Sequence, residues 1–233
     1  MNASTTIGIL GAGQAGSVLA RAFLDVGYRV AIANSRHPCT LRDVIAPLGP
    51  RIVPLWATDA AAQADVAILA FPYAPHHTLP AAELAGKVVL DNNNYMPWRD
   101  GNFPTVDSGA VTVHELRQAQ LPGAKLAKAF SHIQFHGLPH VRKPGDELPA
   151  LVRLARPTGA ADRVALSVWS DFPETLPVVT RLYDELGFDT VVGGLLSESW
   201  RVGPGTPAWN ASLVGQSHAD LVPNICAAHR HHQ

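Results

Sequence analysis

The feature that most constrains this chain is a glycine cluster set between an apolar run and a helical stripe. Residues 6–10, TIGIL, end in GAGQAG, and Val18, Leu19, Ala22, Phe23 and Val26 then recur at helical spacing. Gly27 follows as a helix C-cap, and 28–33 returns to strand character. A strand, a tight turn, a helix and a second strand make a βαβ unit, whose parallel strands need such a crossover.

In G-x-G-x-x-G each glycine has its own task. Gly11 permits the turn, Gly13 lets a pyrophosphate approach the backbone, and Gly16 lets the helix pack on the strand. The backbone N–H groups of Gln14, Ala15 and Gly16 open the helix, where the dipole favours an anion. The alternative is a glycine turn kept for structure alone. The preceding strand, the following helix and the second strand ending at Ala33 favour a dinucleotide site.

The next residues bear on which dinucleotide. A carboxylate at the end of the second strand would accept from a ribose diol and repel a 2′-phosphate. This chain places Asn34, Ser35 and Arg36 there. Ser35 offers a hydroxyl and Arg36 a planar set of donors suited to phosphate, so NADP(H) is expected rather than NAD(H). His37 adds a donor or a ring to stack on adenine. The competing view makes Arg36 a solvated surface arginine.

Strand-like and helical segments then alternate. Strands are expected at 51–54, 65–71, 87–93, 123–130, 163–170 and 188–192. Helices are expected at 38–48, 59–64, 76–85, 110–120 and 173–186, with one more from Asn210 onward. In the 110–120 helix, Val113, Leu116 and either Ala119 or Gln120 are expected near the core. Near-continuous apolar strands such as DVAILAF argue for a sheet covered on both faces. The expected class is therefore α/β, a doubly wound, mainly parallel sheet with a small C-terminal portion. The segment 131–163 is irregular, no linker is evident, and the terminal HRHHQ is expected to fray.

The formal net charge of -1 removes the electrostatic case for nucleic acid or an anionic membrane surface. No apolar run approaches the ~20 residues that span a bilayer, and no signal peptide is evident. Cys39 and Cys226 suit neither a disulfide framework nor a metal knuckle. A soluble, cytoplasmic protein is expected.

In a doubly wound sheet the ligand crevice lies beyond the C-terminal strand ends. The segments there are AFPYAPH (70–76), DNNNYMPW (91–98) and FSHIQFHG (130–137). Phe71 and Pro72 would shape the ribose or nicotinamide wall, with Tyr73 and His76 lining it. Asn92, Asn93 and Asn94 either fix loop backbone or contact the nicotinamide ribose or carboxamide. His132 and His136 lack the partners of a metal site, so no metal is expected. Hydride transfer needs stacked rings and excluded water, not a metal.

IGILGAGQAGSVLARAFLDVGYRVAIANSR, ADVAILAFP, GKVVLDNNN and LAKAFSHI together resemble the coenzyme F420-dependent NADP reductase family. They also resemble the NADPH-binding domain of membrane metalloreductases. The likeness continues through LYDELGFDTVVGGLLSESWRVGPGTPAW. The resemblance implies a Rossmann domain over 1–135 and a C-terminal portion, 136–233, that completes the sheet and the second-substrate pocket. It implies a homodimer, with NADPH on Gly11, Gly13 and Gly16 and its 2′-phosphate on Ser35 and Arg36. In the F420 enzymes a hydride passes between NADPH and the deazaflavin, and by the match of KAFSHI, Ser131 and His132 would sit by the reacting rings. The expected function is hydride transfer between NADPH and a stacked small-molecule acceptor, with F420 as one candidate. A flavin or a small imine or carbonyl compound is the alternative, with Tyr73, His132 or His136 as proton donor. A non-catalytic NADPH sensor is the third.

Overall fold

The computed structural model describes residues 4–230. The first βαβ unit is β1 (Thr6–Leu10), α1 (Gln14–Asp25) and β2 (Arg29–Ala33). Next come α2 (Arg42–Ile45) between 3-10 turns Pro38–Leu41 and Ala46–Leu48, β3 (Ile52–Pro54), α3 (Ala57–Gln63) and β4 (Val66–Leu69). Then α4 (Ala81–Leu84) leads to β5 (Val88–Asp91), followed by the short helices α5 (Pro97–Asp100) and α6 (Pro104–Asp107). The chain continues through α7 (Val113–Gln120), β6 (Lys125–Lys128), α8 (Ala150–Arg153), β7 (Ala165–Trp169), α9 (Thr175–Glu185) and β8 (Asp189–Gly194). A 3-10 helix at Leu196–Val202, α10 (Pro207–Asn210) and α11 (His218–Cys226) close it.

The strands form one sheet in the order β3-β2-β1-β4-β5-β6-β7-β8. Neighbours from β3 to β6 are parallel. β7 reverses direction against β6 through the single pair Lys128↔Trp169, and β8 runs parallel to β7. Chain order reverses between β1 and β4, which is the switch point where a doubly wound sheet opens its ligand crevice.

Alternating strand residues feed two apolar layers. Ile7 and Ile9 pack with Leu19 and Phe23 of α1 and with Val179, Leu182 and Tyr183 of α9. Leu10, Ala31 and Leu69 face Ala60 and Ala61 of α3 and Leu84 of α4. A third cluster joins Trp169 and Val191 to Val202, Leu221 and Ile225. Among the described residues no helix is long and apolar enough to cross a membrane.

The glycine unit folds where expected, although α1 begins at Gln14 and also buries Ala20 and Leu24. Three expected helices need correction. The 76–85 helix shrinks to Ala81–Leu84, because Pro80 lacks an N–H and biases Leu79 away from helical geometry. The 110–120 helix begins at Val113, fixed by a capping box in which Thr112 Oγ1 accepts from the Glu115 N–H and Glu115 accepts from the Thr112 N–H. Its buried face carries Val113, His114 and Arg117, while Leu116 is half-buried and Ala119 exposed. The tail helix starts at His218, not Asn210, behind a second capping box of Ser217 and Asp220. Of the terminal HRHHQ, Arg230 is docked rather than frayed, donating to the Gly109 and Ser197 carbonyls. Residues 231–233 lie outside the described residues.

Candidate functional site

The glycine turn has the shape that a phosphate cradle requires. Gly11 has φ +110, and a Cβ on it would sit 2.5 Å from the Ala70 carbonyl oxygen. A Cβ on Gly16 would lie 1.8 Å from the Gly11 carbonyl oxygen, so this residue brings α1 against the turn. A Cβ on Gly13 would meet nothing within 4 Å. Gly13 thus borders open space, and α1 starts there with no side-chain cap and no acid in its first turn. The free N–H groups of a helix start face outward for an anion. These residues fit a dinucleotide pyrophosphate.

At the β2 corner Asn34 builds the loop. Its Oδ1 accepts from the Arg36 N–H at 2.8 Å and its Nδ2 donates to Thr40 Oγ1 at 3.0 Å. Ser35 and Arg36 are exposed, and among the described residues their side chains have no hydrogen-bond or ion-pair partner. His37 is used locally, its Nδ1 accepting from the Cys39 N–H and its ring lying edge-on to Trp56 at 5.1 Å.

Beyond β4, Phe71 and Pro72 are half-buried, Tyr73 is buried and His76 is exposed. Beneath them lies a pair absent from the sequence-based expectations: Arg117 of α7 donates to Asp91 at 3.1 Å, both side chains fully buried. The Arg117 guanidinium is 4.9 Å from the Phe71 ring and 5.3 Å from that of Tyr73. Burial raises the Tyr73 pKa, and the Arg117 charge partly offsets this.

At the ends of β5 and β6 the polar side chains turn inward. Asn92, Asn93 and Asn94 are all buried. Asn94 Nδ2 donates to the Ser131 carbonyl at 2.5 Å, and Arg99 donates to Asn93 Oδ1 and to the Asn94 carbonyl. Three buried atoms at these strand ends have no partner among the described residues: Asn93 Nδ2, Asn94 Oδ1 and Ser131 Oγ. Buried polar groups left unpaired are costly, so such a set at strand ends fits a polar ligand.

Phe130 holds φ +55, a left-handed geometry that is strained for a bulky residue. Its N–H donates to Tyr183 Oη and its ring packs against Tyr183 at 4.9 Å. The turn sends His132 under the sheet. There its Nε2 accepts from the Ser167 N–H at 2.9 Å. Burial, then the Lys128 charge, lower the His132 pKa from 6.5 to about 3. His136 is exposed, with Nδ1 beside the Gly137 carbonyl, so 132 and 136 do not converge.

A cleft of about 440 Å³ opens next to Asn94. Its walls include Tyr95, Trp98, Trp200 and Pro204, and its floor carries Lys128 and His114. Of the three segments expected at the ligand crevice, 94–98 lines this cleft, whereas 70–76 and 130–137 do not. Lys128 is 2% exposed, and its Nζ donates to the Ser199 carbonyl at 2.8 Å. Burial pulls its pKa from 10.5 down to about 7, against the attraction of Asp91. His114 Nε2 donates to the Asn93 carbonyl at 3.1 Å, and its Nδ1 faces Ser199 Oγ at 3.2 Å. Burial and the Lys128 charge hold its pKa well below the ordinary value, so the neutral ring carries its proton on Nε2.

Sequence reasoning missed Lys128, His114, Arg117 and Ser199. A charged residue inside an apolar strand, as in KLAK, was the available signal for Lys128. Nothing in the sequence announced that residues 199–206 and 230 return to the ends of β5 and β6.

Residues 6–95 match the family described as NADP oxidoreductase, coenzyme F420-dependent. The YjhV protein of Escherichia coli K12 is 40% identical over 71 residues, which cover 28% of this chain and 52% of that protein. The chain thus spans about half the length of this curated relative. The hypothetical protein SMa0349 of Sinorhizobium meliloti is 30% identical with a TM-score of 0.65, over 88% of this chain and 92% of that one. A candidate F420-dependent NADP-reductase from Arthrobacter sp. FB24 is 22% identical with a TM-score of 0.62, over 83% and 86% of the two chains.

Proposed function

From the premise that this chain belongs to the coenzyme F420-dependent NADP oxidoreductase family and is an NADP-dependent oxidoreductase, we propose that it passes a hydride between NADPH and a planar acceptor seated in the cleft beyond β5 and β6. The observation that carries the proposal is the unpaired buried set Asn93 Nδ2, Asn94 Oδ1 and Ser131 Oγ at the strand ends, of which Asn94 lines the cleft.

The chain's residues divide the work. Gly11 to Gly16 hold the pyrophosphate, Ser35 and Arg36 the 2′-phosphate, and Phe71 and Pro72 the wall of the central portion. Asn92, Asn93 and Ser131 orient the nicotinamide end. His132 is a positioning residue, because its Nε2 is engaged by Ser167. Bound NADPH supplies the hydride. Tyr95, Trp98 and Trp200 flank the acceptor and exclude water. Coenzyme F420 is the acceptor that the family description points to. A second reading, a small imine or carbonyl acceptor, is favoured by the amine of Lys128 on the cleft floor. The working unit is proposed as a cytoplasmic homodimer with no nucleic-acid or membrane partner, its cofactor domain within 1–135 and its C-terminal portion, 136–233, completing the sheet and the acceptor pocket.

The test mixes the protein with NADPH and, separately, with F420, free flavin, a cyclic imine and an aromatic aldehyde, following the nicotinamide absorbance band. Oxidation with F420 supports the family acceptor. NADPH binding with oxidation in no mixture would instead identify a sensor. For the ribose corner, Arg36→Ala is expected to weaken NADPH binding by about 1.5–3 kcal/mol, the range for hydrogen bonds to charged groups. NADH binding should hardly change, and equal losses for both in titration calorimetry would remove Arg36 from the phosphate.

A further inference from the structure

We infer that Lys128 is the proton donor of this site and that the cleft takes an acceptor with a polar C=O or C=N bond, whose heteroatom faces Nζ. The inference rests on the cleft being the acceptor site.

The groups suggested by the sequence as donors are poorly placed. Tyr73 lies under the β4 loop beside Arg117, His136 is on the surface, and His132 has its Nε2 occupied. None of the three lines the cleft, whereas Lys128 does. Its backbone is the last residue of β6, beside Asp91 in register, so a rigid strand end aims the side chain. An ammonium has three N–H donors, and here one goes to the Ser199 carbonyl. Among the described residues Nζ has no second hydrogen-bond acceptor. A buried amine that keeps donors in hand at a cleft floor fits a ligand atom that accepts them.

The groups facing Lys128 are consistent with a proton-transfer role. Asp91 on β5, itself paired with Arg117, favours its charged form, His114 on α7 and His132 after β6 feel its charge, and both imidazoles are held neutral. Burial brings the proton exchange of Lys128 itself near neutral pH, while the two imidazoles beside it stay neutral.

The hydride of NADPH forms a C–H bond at the acceptor carbon, the C=O or C=N π pair moves to the heteroatom, and that atom takes a proton from Nζ. NADPH leaves as NADP+, the acceptor as an alcohol or amine, and neutral Lys128 regains a proton from water through the cleft. The apolar and aromatic walls around this polar floor suit a small acceptor with an apolar body.

Turnover of NADPH with 2-methyl-1-pyrroline and with benzaldehyde, across pH, tests this in wild type, Lys128→Met and Lys128→Ala. Wild type is expected to lose rate as pH rises through about 7, as the ammonium deprotonates. Both variants should keep NADPH binding and lose about 10²–10⁴-fold in turnover, the range for a general acid. Ethylamine should partly restore Lys128→Ala, which leaves space for it, and not Lys128→Met. Independently, 13C-methylated Lys128 should titrate near 7 by NMR and shift when 2-pyrrolidinone, an unreactive stand-in, is added. Variants as fast as wild type, or a Lys128 with ordinary lysine titration that ignores the lactam, overturn the inference. Wild-type reduction of F420 but of neither probe overturns it while sparing the acceptor cleft. Oxidation with no acceptor at all overturns both.

Discussion

At the residue scale, two glycines three positions apart make opposite demands. Gly13 borders open space, so Gly13→Ala is expected to fold normally and lose affinity for NADPH, the methyl standing where a phosphate would lie. Gly16→Ala places a Cβ on the Gly11 carbonyl, an overpacking that costs about 1–3 kcal/mol. Its melting temperature should fall by about 2–4 °C per kcal/mol in a chain of this size. Calorimetry with and without NADPH separates the two effects, and equal melting temperatures would contradict the geometry. His132 makes a different prediction. Its folded pKa, about 3, lies below the ordinary 6.5, so the unfolded chain takes up a proton first as pH falls. Stability is full above 6.5 and declines toward 3, with buried His114 acting in the same direction. His132→Gln should flatten that acid slope in denaturant melts without abolishing it. An unchanged slope would mean that His132 is protonated in the native state.

At the scale of elements, α7 is where sequence patterning and structure part most clearly. Helical spacing suggested an apolar face through Leu116, yet the buried face presents His114 and Arg117. Those side chains are inside because Asp91, the Asn93 carbonyl and Ser199 wait for them across the sheet end. Periodicity registers hydrophobicity and is blind to a paired charge. Truncating one partner of the Asp91–Arg117 pair should cost about 3–5 kcal/mol, because the other charge stays buried alone. Arg117→Met with Asp91→Leu should recover much of that loss, and a double-mutant cycle by urea unfolding measures the difference. Additive losses would mean that the pair does not act as a unit. Glycine turns and strands buried on both faces were legible because their backbone demands are local. Helix starts at Val113 and His218 were also written locally, in T-x-x-E and S-x-x-D, and apolar spacing alone misplaced them.

At the scale of the molecule, the mainly parallel sheet and its switch point follow from the order of strands and crossovers. The reversal at β7 does not, since strand direction depends on where the irregular 131–163 segment leads the chain. That reversal brings Ser199, Trp200, Thr206 and Arg230 back over the strand ends to wall the cleft. Residues so distant in the chain carry no mutual spacing to read.

The single residue pair between β6 and β7 has a consequence for descent. It is a seam: on one side lie the glycine turn, the Asn34–Arg36 corner and the cleft floor at His114 and Lys128, on the other the cleft wall from Ser199 to Thr206. Drift or recombination beyond the seam can recast the far wall and leave the proposed nucleotide grip intact. Lineages that share the corner at Ser35 and Arg36 are therefore free to diverge in the wall that faces the cleft floor, and inheritance of the first part is an incomplete guide to the shape of that cleft.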